Sequence, residues 1–105
     1  MKQVNQKDAI HYIATRQEFK ASALTGEFKI DAPSTGRLNA EESAKLAQDF
    51  AQALDGFVVF SYSTPVAWFT TLGGWYVVSQ KFSPTTSKHQ NYIRRAVAES
   101  LQGAN

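Results

Sequence analysis

The stretch richest in groups able to do chemistry is Ser83 to Gln90, where Thr85, Thr86, Ser87, Lys88 and His89 stand in succession. At a predicted helix start, these side chains would share a small volume with backbone N–H groups that lack partners inside the helix. The positive end of the helix dipole adds to them, so the segment could hold an anion such as a nucleic-acid phosphate. The same residues also make a plain helix start, with Ser87 as cap, Gln90 three positions on as in a capping box, Thr85 and Thr86 satisfying the turn, and His89 packing. The segment lacks the glycines that let a backbone wrap a nucleotide. Ser87 and His89 are two apart, about 200° around a helix, and do not pair as nucleophile and base. His11 and His89 lack the ligand number and spacing of a metal centre. Glu41 and Glu42 diverge from a helix start, where they compensate the dipole. The expectation is a protein with no catalytic residues, no metal site and no cofactor, and therefore not an enzyme.

A second set of candidates follows from charge. Residues 1–55 hold seven Lys/Arg against eight Asp/Glu, and residues 56–105 hold four against one. Between Gly56 and Ala98 there is no carboxylate, while Lys81, Lys88, Arg94 and Arg95 all lie there. Such asymmetry suits an anionic partner, although the net charge of +2 falls short of a dense basic stripe. Trp68, Phe69, Trp75 and Tyr76 sit on predicted neighbouring strands, where one of each pair would face helices and the other would face outward. An exposed Trp75 or Tyr76 beside Lys81 or Arg94 could stack unpaired bases or anchor a protein partner. The same aromatics also suit the filling of a thin core.

These residues need a scaffold, and 105 residues with 43% hydrophobic and 19% charged content suit a single folded domain spanning 1–105, with frayed termini. No apolar run approaches the roughly 18–20 residues of a membrane span, and the opening residues lack the apolar stretch of a secretory signal. With no cysteine, disulfides and thiolate metal sites are excluded. A cytoplasmic location without a membrane partner is the expectation.

Asn5 and Asp8 predict a capped helix over about 6–16, with Ile10, Ile13 and Ala14 on one face. Alternation through Phe19, Ala21 and Ala23 predicts a strand that Gly26 breaks, with a second strand over about 27–30 completing a hairpin. Asp31 to Gly36 is a turn cluster. A helix over 40–54 follows, capped by Asn39 with Glu42 at its third position and carrying Leu46, Phe50, Ala53 and Leu54 as its apolar stripe. Phe57 to Tyr62 is apolar on both faces, as an inner strand covered on each side would be. Val66 to Thr71 and Trp75 to Ser79 complete a three-strand meander, and a last helix over about 88–102 buries Tyr92, Ile93, Ala96, Val97 and Leu101. The order α-β-β-α-β-β-β-α predicts an α+β domain: an antiparallel sheet, built from an N-terminal hairpin and the central meander, with three helices on one side in two layers.

The run Phe60 to Ala67, then Trp75, then Phe82 to Gln90 resembles a pattern of small uncharacterised proteins of bacteriophages and related mobile elements. That pattern reads roughly Tyr-Ser-Tyr-x-Thr-Pro-Ile-Ala, a Trp, then Tyr-Ser-x-Thr-Thr-Ser-Lys-His-Gln. Here Val66 replaces the Ile, Phe60 and Phe82 replace Tyr, and Pro84 takes a variable place. The resemblance covers about Phe57 to Arg95, with a weaker echo from Phe19 to Gly26. It implies a phage setting, hence a host cytoplasm, and carries no assigned chemistry. The expected role is a phage-type accessory protein binding nucleic acid, with Lys81, Lys88, Arg94 and Arg95 on phosphates and Trp75 or Tyr76 stacking. The alternative is a modulator that binds a host protein, a defence factor included. A homodimer joined through the sheet is compatible with both.

Overall fold

A computed structural model describes residues 1–53 and 55–103, so the expectations for Leu54 and for the side chain of Leu101 lie outside the described residues. The first strand, β1 (Lys2–Gln3), is followed by α1 (Gln6–Ala14), β2 (Phe19–Ala21) and β3 (Leu24–Lys29). Helix α2 (Ala40–Gln52), strands β4 (Gly56–Ser61), β5 (Thr64–Thr70) and β6 (Gly74–Val77), and helix α3 (Pro84–Gly103) complete the order. Asn5 caps α1 by accepting from the Asp8 N–H at 2.8 Å, and Asn39 caps α2 by accepting from the Glu42 N–H at 2.8 Å. Both caps sit where the sequence puts them.

All six strands form one sheet in the order β1-β2-β3-β4-β5-β6. The domain is α+β, but the purely antiparallel sheet is corrected: β1 runs parallel to β2, and antiparallel pairing runs unbroken from β2 to β6. Parallel neighbours need a long crossover, and α1 supplies it. The central meander is thus part of a longer one, with the N-terminal hairpin joined to it through β3 and β4.

Two layers become three. Ala9, Ile10 and Ile13 of α1 and Ile93 and Ala96 of α3 bury one sheet face with Phe19, Leu24, Phe57, Val59 and Ala67. Leu46 and Phe50 of α2 bury the opposite face with Val58, Trp68 and Val78. Alternation explains the split, since Phe57 and Val58 must point to opposite sides. A one-sided arrangement would have left Val58 and Trp68 in water. A register irregularity between Val59 and Phe60 lies opposite Pro65 and Val66, the kind of place where a strand tolerates proline.

Gly26 is not a strand breaker. It lies inside β3, paired with Phe19 and Val59, and the hairpin turns instead at Ser22 and Ala23. A Cβ there would stand 2.5 Å from Phe19 Cε1 and 2.7 Å from Phe57 Cζ, both buried rings. Gly26→Ala is expected to destabilise the protein by about 1–3 kcal/mol through overpacking. The measurement is the urea midpoint, and a midpoint equal to the wild type would refute this role.

Candidate functional site

Helix α3 begins four residues before its sequence-predicted start. Ser83, not Ser87, caps it: the Ser83 hydroxyl accepts from the Thr86 N–H at 3.2 Å, and the Ser87 N–H donates to the Ser83 carbonyl at 3.0 Å. Pro84 then occupies the first helical position, where its missing N–H costs nothing. Gln90 is no capping partner either. Its amide donates to the Val78 and Gln80 carbonyls at 2.7 and 3.2 Å, tying down the chain that enters α3.

This frame divides the Ser83–Gln90 segment in two. Thr86 and His89 are buried, Ser87 is half-buried, and Thr85 and Lys88 are exposed. His89 Nδ1 lies 2.7 Å from the Ser61 hydroxyl at the end of β4, and its Nε2 lies 3.2 Å from the Gln6 amide of α1. Ser61 also lies 3.0 Å from the Thr86 hydroxyl, which accepts from Ser83 at 3.2 Å. A serine bonded to an imidazole has the elements of a nucleophile and its base. Ser61 is 2% and His89 0% exposed, so both side chains lie within the packed interior. The network joins β4, α1 and α3 internally. Burial, and then the neighbouring Lys88 charge, hold the His89 imidazole below its ordinary value of 6.5.

The cations are arranged differently. Lys88, Arg94 and Arg95 are exposed on α3, and Lys81 is exposed in the connection from β6. Lys88 Nζ lies 6.0 Å from the Tyr92 ring, and Arg94 donates to Asn91 at 3.2 Å. Ion pairs among the described residues join Lys29 to Glu27 and Lys45 to Asp49, leaving Lys81, Lys88, Arg94 and Arg95 without a carboxylate partner there. Helix α3 carries Lys88, Arg94, Arg95 and Glu99, whereas α2, across the sheet, carries Glu41, Glu42, Asp49 and Lys45. The sheet therefore separates an acidic helix from a basic one.

The aromatics do not divide into covered and outward-facing sets, because α2 covers the second face. Trp68 is fully buried and its indole donates to Asp49 at 2.8 Å. Tyr76 stacks 5.1 Å from Trp68 and donates to Glu42, whose other oxygen accepts from the Ser79 N–H at 3.0 Å. Glu42 is thus a buried clamp between α2 and the sheet as well as a helix-start charge. The hydrogen bond to Glu42, then burial, push the Tyr76 phenol up to about 12. Trp75 is half-buried against Phe57 and Phe69. Trp75 and Tyr76 are thus both half-buried among neighbouring rings.

One functional candidate that sequence reasoning passed over is Arg16. Its guanidinium stands 4.2 Å from the centre of the Phe69 ring, on the sheet face covered by α1 and α3. Its signal was slight, a lone arginine just past a helix end. Among the described residues no three His, Cys, Asp or Glu gather as metal ligands, and no helix is long and apolar enough to cross a membrane.

The model of a family of unknown function, DUF8033, matches residues 11–102, so the chain belongs to that family. No curated protein and no solved structure matches it.

Two outcomes test the buried groups. Because the folded protein holds His89 below 6.5, protons favour the unfolded chain, and stability present above pH 6.5 is lost as pH falls toward the folded value. The loss is expected to reach at most about 1.4 kcal/mol per pH unit. Denaturant titrations of the wild type and His89→Gln should converge as pH falls from 7 to 5, and a constant gap would contradict this. Tyr76→Phe is expected to cost about 1.5–3 kcal/mol, as loss of a hydrogen bond to a charged group does. Thermal unfolding indistinguishable from the wild type would show that the Glu42 bond contributes nothing.

Proposed function

We propose that this protein is a non-enzymatic accessory factor, of phage type, that binds the backbone of a nucleic acid through the exposed face of α3. The observation that carries the reading is the separation of charge across the sheet. Lys88, Arg94 and Arg95 face solvent without carboxylate partners among the described residues, and the acids of α2 are on the far side. Lys88 and Arg95 are seven residues apart, two helical turns and about 10 Å along one stripe. Lys81, just ahead of the helix, extends the set. Arg16, on the same side of the sheet, adds a further cation.

The buried Thr86 and His89 support these contacts indirectly by fixing α3 against β4 and α1. They are positioning residues and do not touch the ligand in this reading. A host-protein modulator is the second reading, with the exposed apolar side chains of Ile30 and Leu72 as candidate contacts.

Affinity for DNA or RNA should fall linearly on a plot of log K against log salt, with a slope of about −2 to −4 for the three or four cations engaged. Arg95→Gln should reduce the slope by about one and weaken binding across sequences alike. Absence of binding at low salt, or an affinity indifferent to salt, would remove the proposal. A stoichiometric host partner whose binding depends on Ile30 and Leu72 and not on Arg95 would favour the second reading.

A further inference from the structure

A row of aromatic rings crosses the sheet on the side of α1 and α3. Register places Phe28, Phe57, Phe69 and Trp75 abreast on β3, β4, β5 and β6. Ring centres are 5.1 Å apart for Phe28 and Phe57, 6.3 Å for Phe57 and Trp75, and 5.6 Å for Phe69 and Trp75. The row is buried at Phe57, but Phe28 is 53% exposed. There the surface opens into a cleft of about 200 Å³, lined by Arg16, Phe28, Phe57 and Phe69 with the exposed Asp55 and Thr71 at its rim. Arg16 stands over Phe69 just past the end of α1, at the left-handed position of the helix cap (φ 52°), where its N–H donates to the Ile13 carbonyl at 3.0 Å and the Gln17 N–H to the Tyr12 carbonyl at 2.8 Å. It is half-buried, and it has no carboxylate within ion-pair distance among the described residues.

We infer that this opening takes one unpaired base of the nucleic acid whose phosphates α3 contacts; the inference rests on that reading. Unpaired bases stack on aromatic rings and on guanidinium planes, and this cleft offers both. A carboxylate at the rim suits an exocyclic amine, as carboxylates accept from cytosine N4. The volume lies below the roughly 300–1,000 Å³ of a drug-sized ligand and suits a single planar group. A larger cleft of about 440 Å³ lies across the sheet, lined by residues that include Thr25, Glu27, Lys29, Phe60 and Tyr62. Its lysine is already paired with Glu27 at 3.7 Å, and it shares the side of the acidic α2, so it does not suit a polyanion. The stacking function expected of Trp75 or Tyr76 thus passes to Phe28 and Arg16, at the open end of the row that Trp75 closes.

Adenosine and cytidine, which carry no phosphate, test the cleft apart from α3. Titrated into the isotope-labelled full chain, they should shift the Trp75 indole N–H and the Gly56 and Thr71 amides saturably in the millimolar range. The shifts should disappear in Phe28→Ala, a change at an exposed ring, and weaken in Arg16→Gln. No saturable shift at tens of millimolar overturns the inference. Short single strands should also bind at least about fivefold tighter than abasic strands of equal length, as stacking of one base requires. Phe28→Ala should abolish that ratio and leave the salt slope unchanged. Equal binding of the two strands with the slope intact overturns the base site and leaves the α3 reading standing. Nucleoside shifts without strand binding at low salt overturn both.

Discussion

The central strands have apolar side chains on both faces, and the remainder of the architecture answers that demand. Phe57 and Val59 point to one side of β4 and Val58 to the other, all at most 1% exposed. Covering each such side chain contributes about 1.5–3 kcal/mol, so neither face can be left to water. Two helices are needed on one face because the β2–β3 end and the β5–β6 end both present apolar residues there. A single helix suffices on the other, where only β4 to β6 are apolar and β3 shows Thr25, Glu27 and Lys29. The division of helices is also a division of charge, since α2 brings the acids and α3 the bases.

Polar groups fix these layers in register. Glu42 and Asp49 point from α2 into the sheet and find Tyr76, Ser79 and Trp68, so two of the acids are engaged inward. A buried carboxylate without such partners would cost several kcal/mol or stay protonated. Ser61 has the matching role on the opposite face, where one hydroxyl meets both His89 and Thr86. The segment with the densest chemistry in the chain therefore spends much of it inside the molecule. The groups left exposed are those on the outer stripe of α3, Lys88, Arg94 and Arg95 among them.

Elements whose signals are local were legible in the sequence. Asn5 and Asn39 cap where they should, because an N-cap is decided within four residues. Cover on both sides of β4 was also readable from Phe57 to Tyr62, and it contradicted the one-sided layering drawn from helix stripes alone. Other features depend on partners distant in sequence. Two-residue β1 has no period of its own and exists through pairing with β2. Gly26 looks like punctuation until Phe19 and Phe57 are seen to close over it. Ser83 and Ser87 are equivalent as caps on paper, and the Ser61–Thr86–His89 contacts fit the earlier start. The basic helix was visible as composition, but its distance from the acids of α2 is set by the sheet between them.

Every neighbour in the sheet is also a neighbour along the chain. From β2 onward each pairing closes over a connection much shorter than the domain, apart from the segment that carries α2 between β3 and β4. Loop-closure entropy is therefore small at most steps, and such local topology folds fast for a sheet. The parallel β1 pairing has to wait for α1 to carry the chain back. With two paired residues at the edge of the sheet, the amino-terminal strand is the first to fray when the native state opens locally.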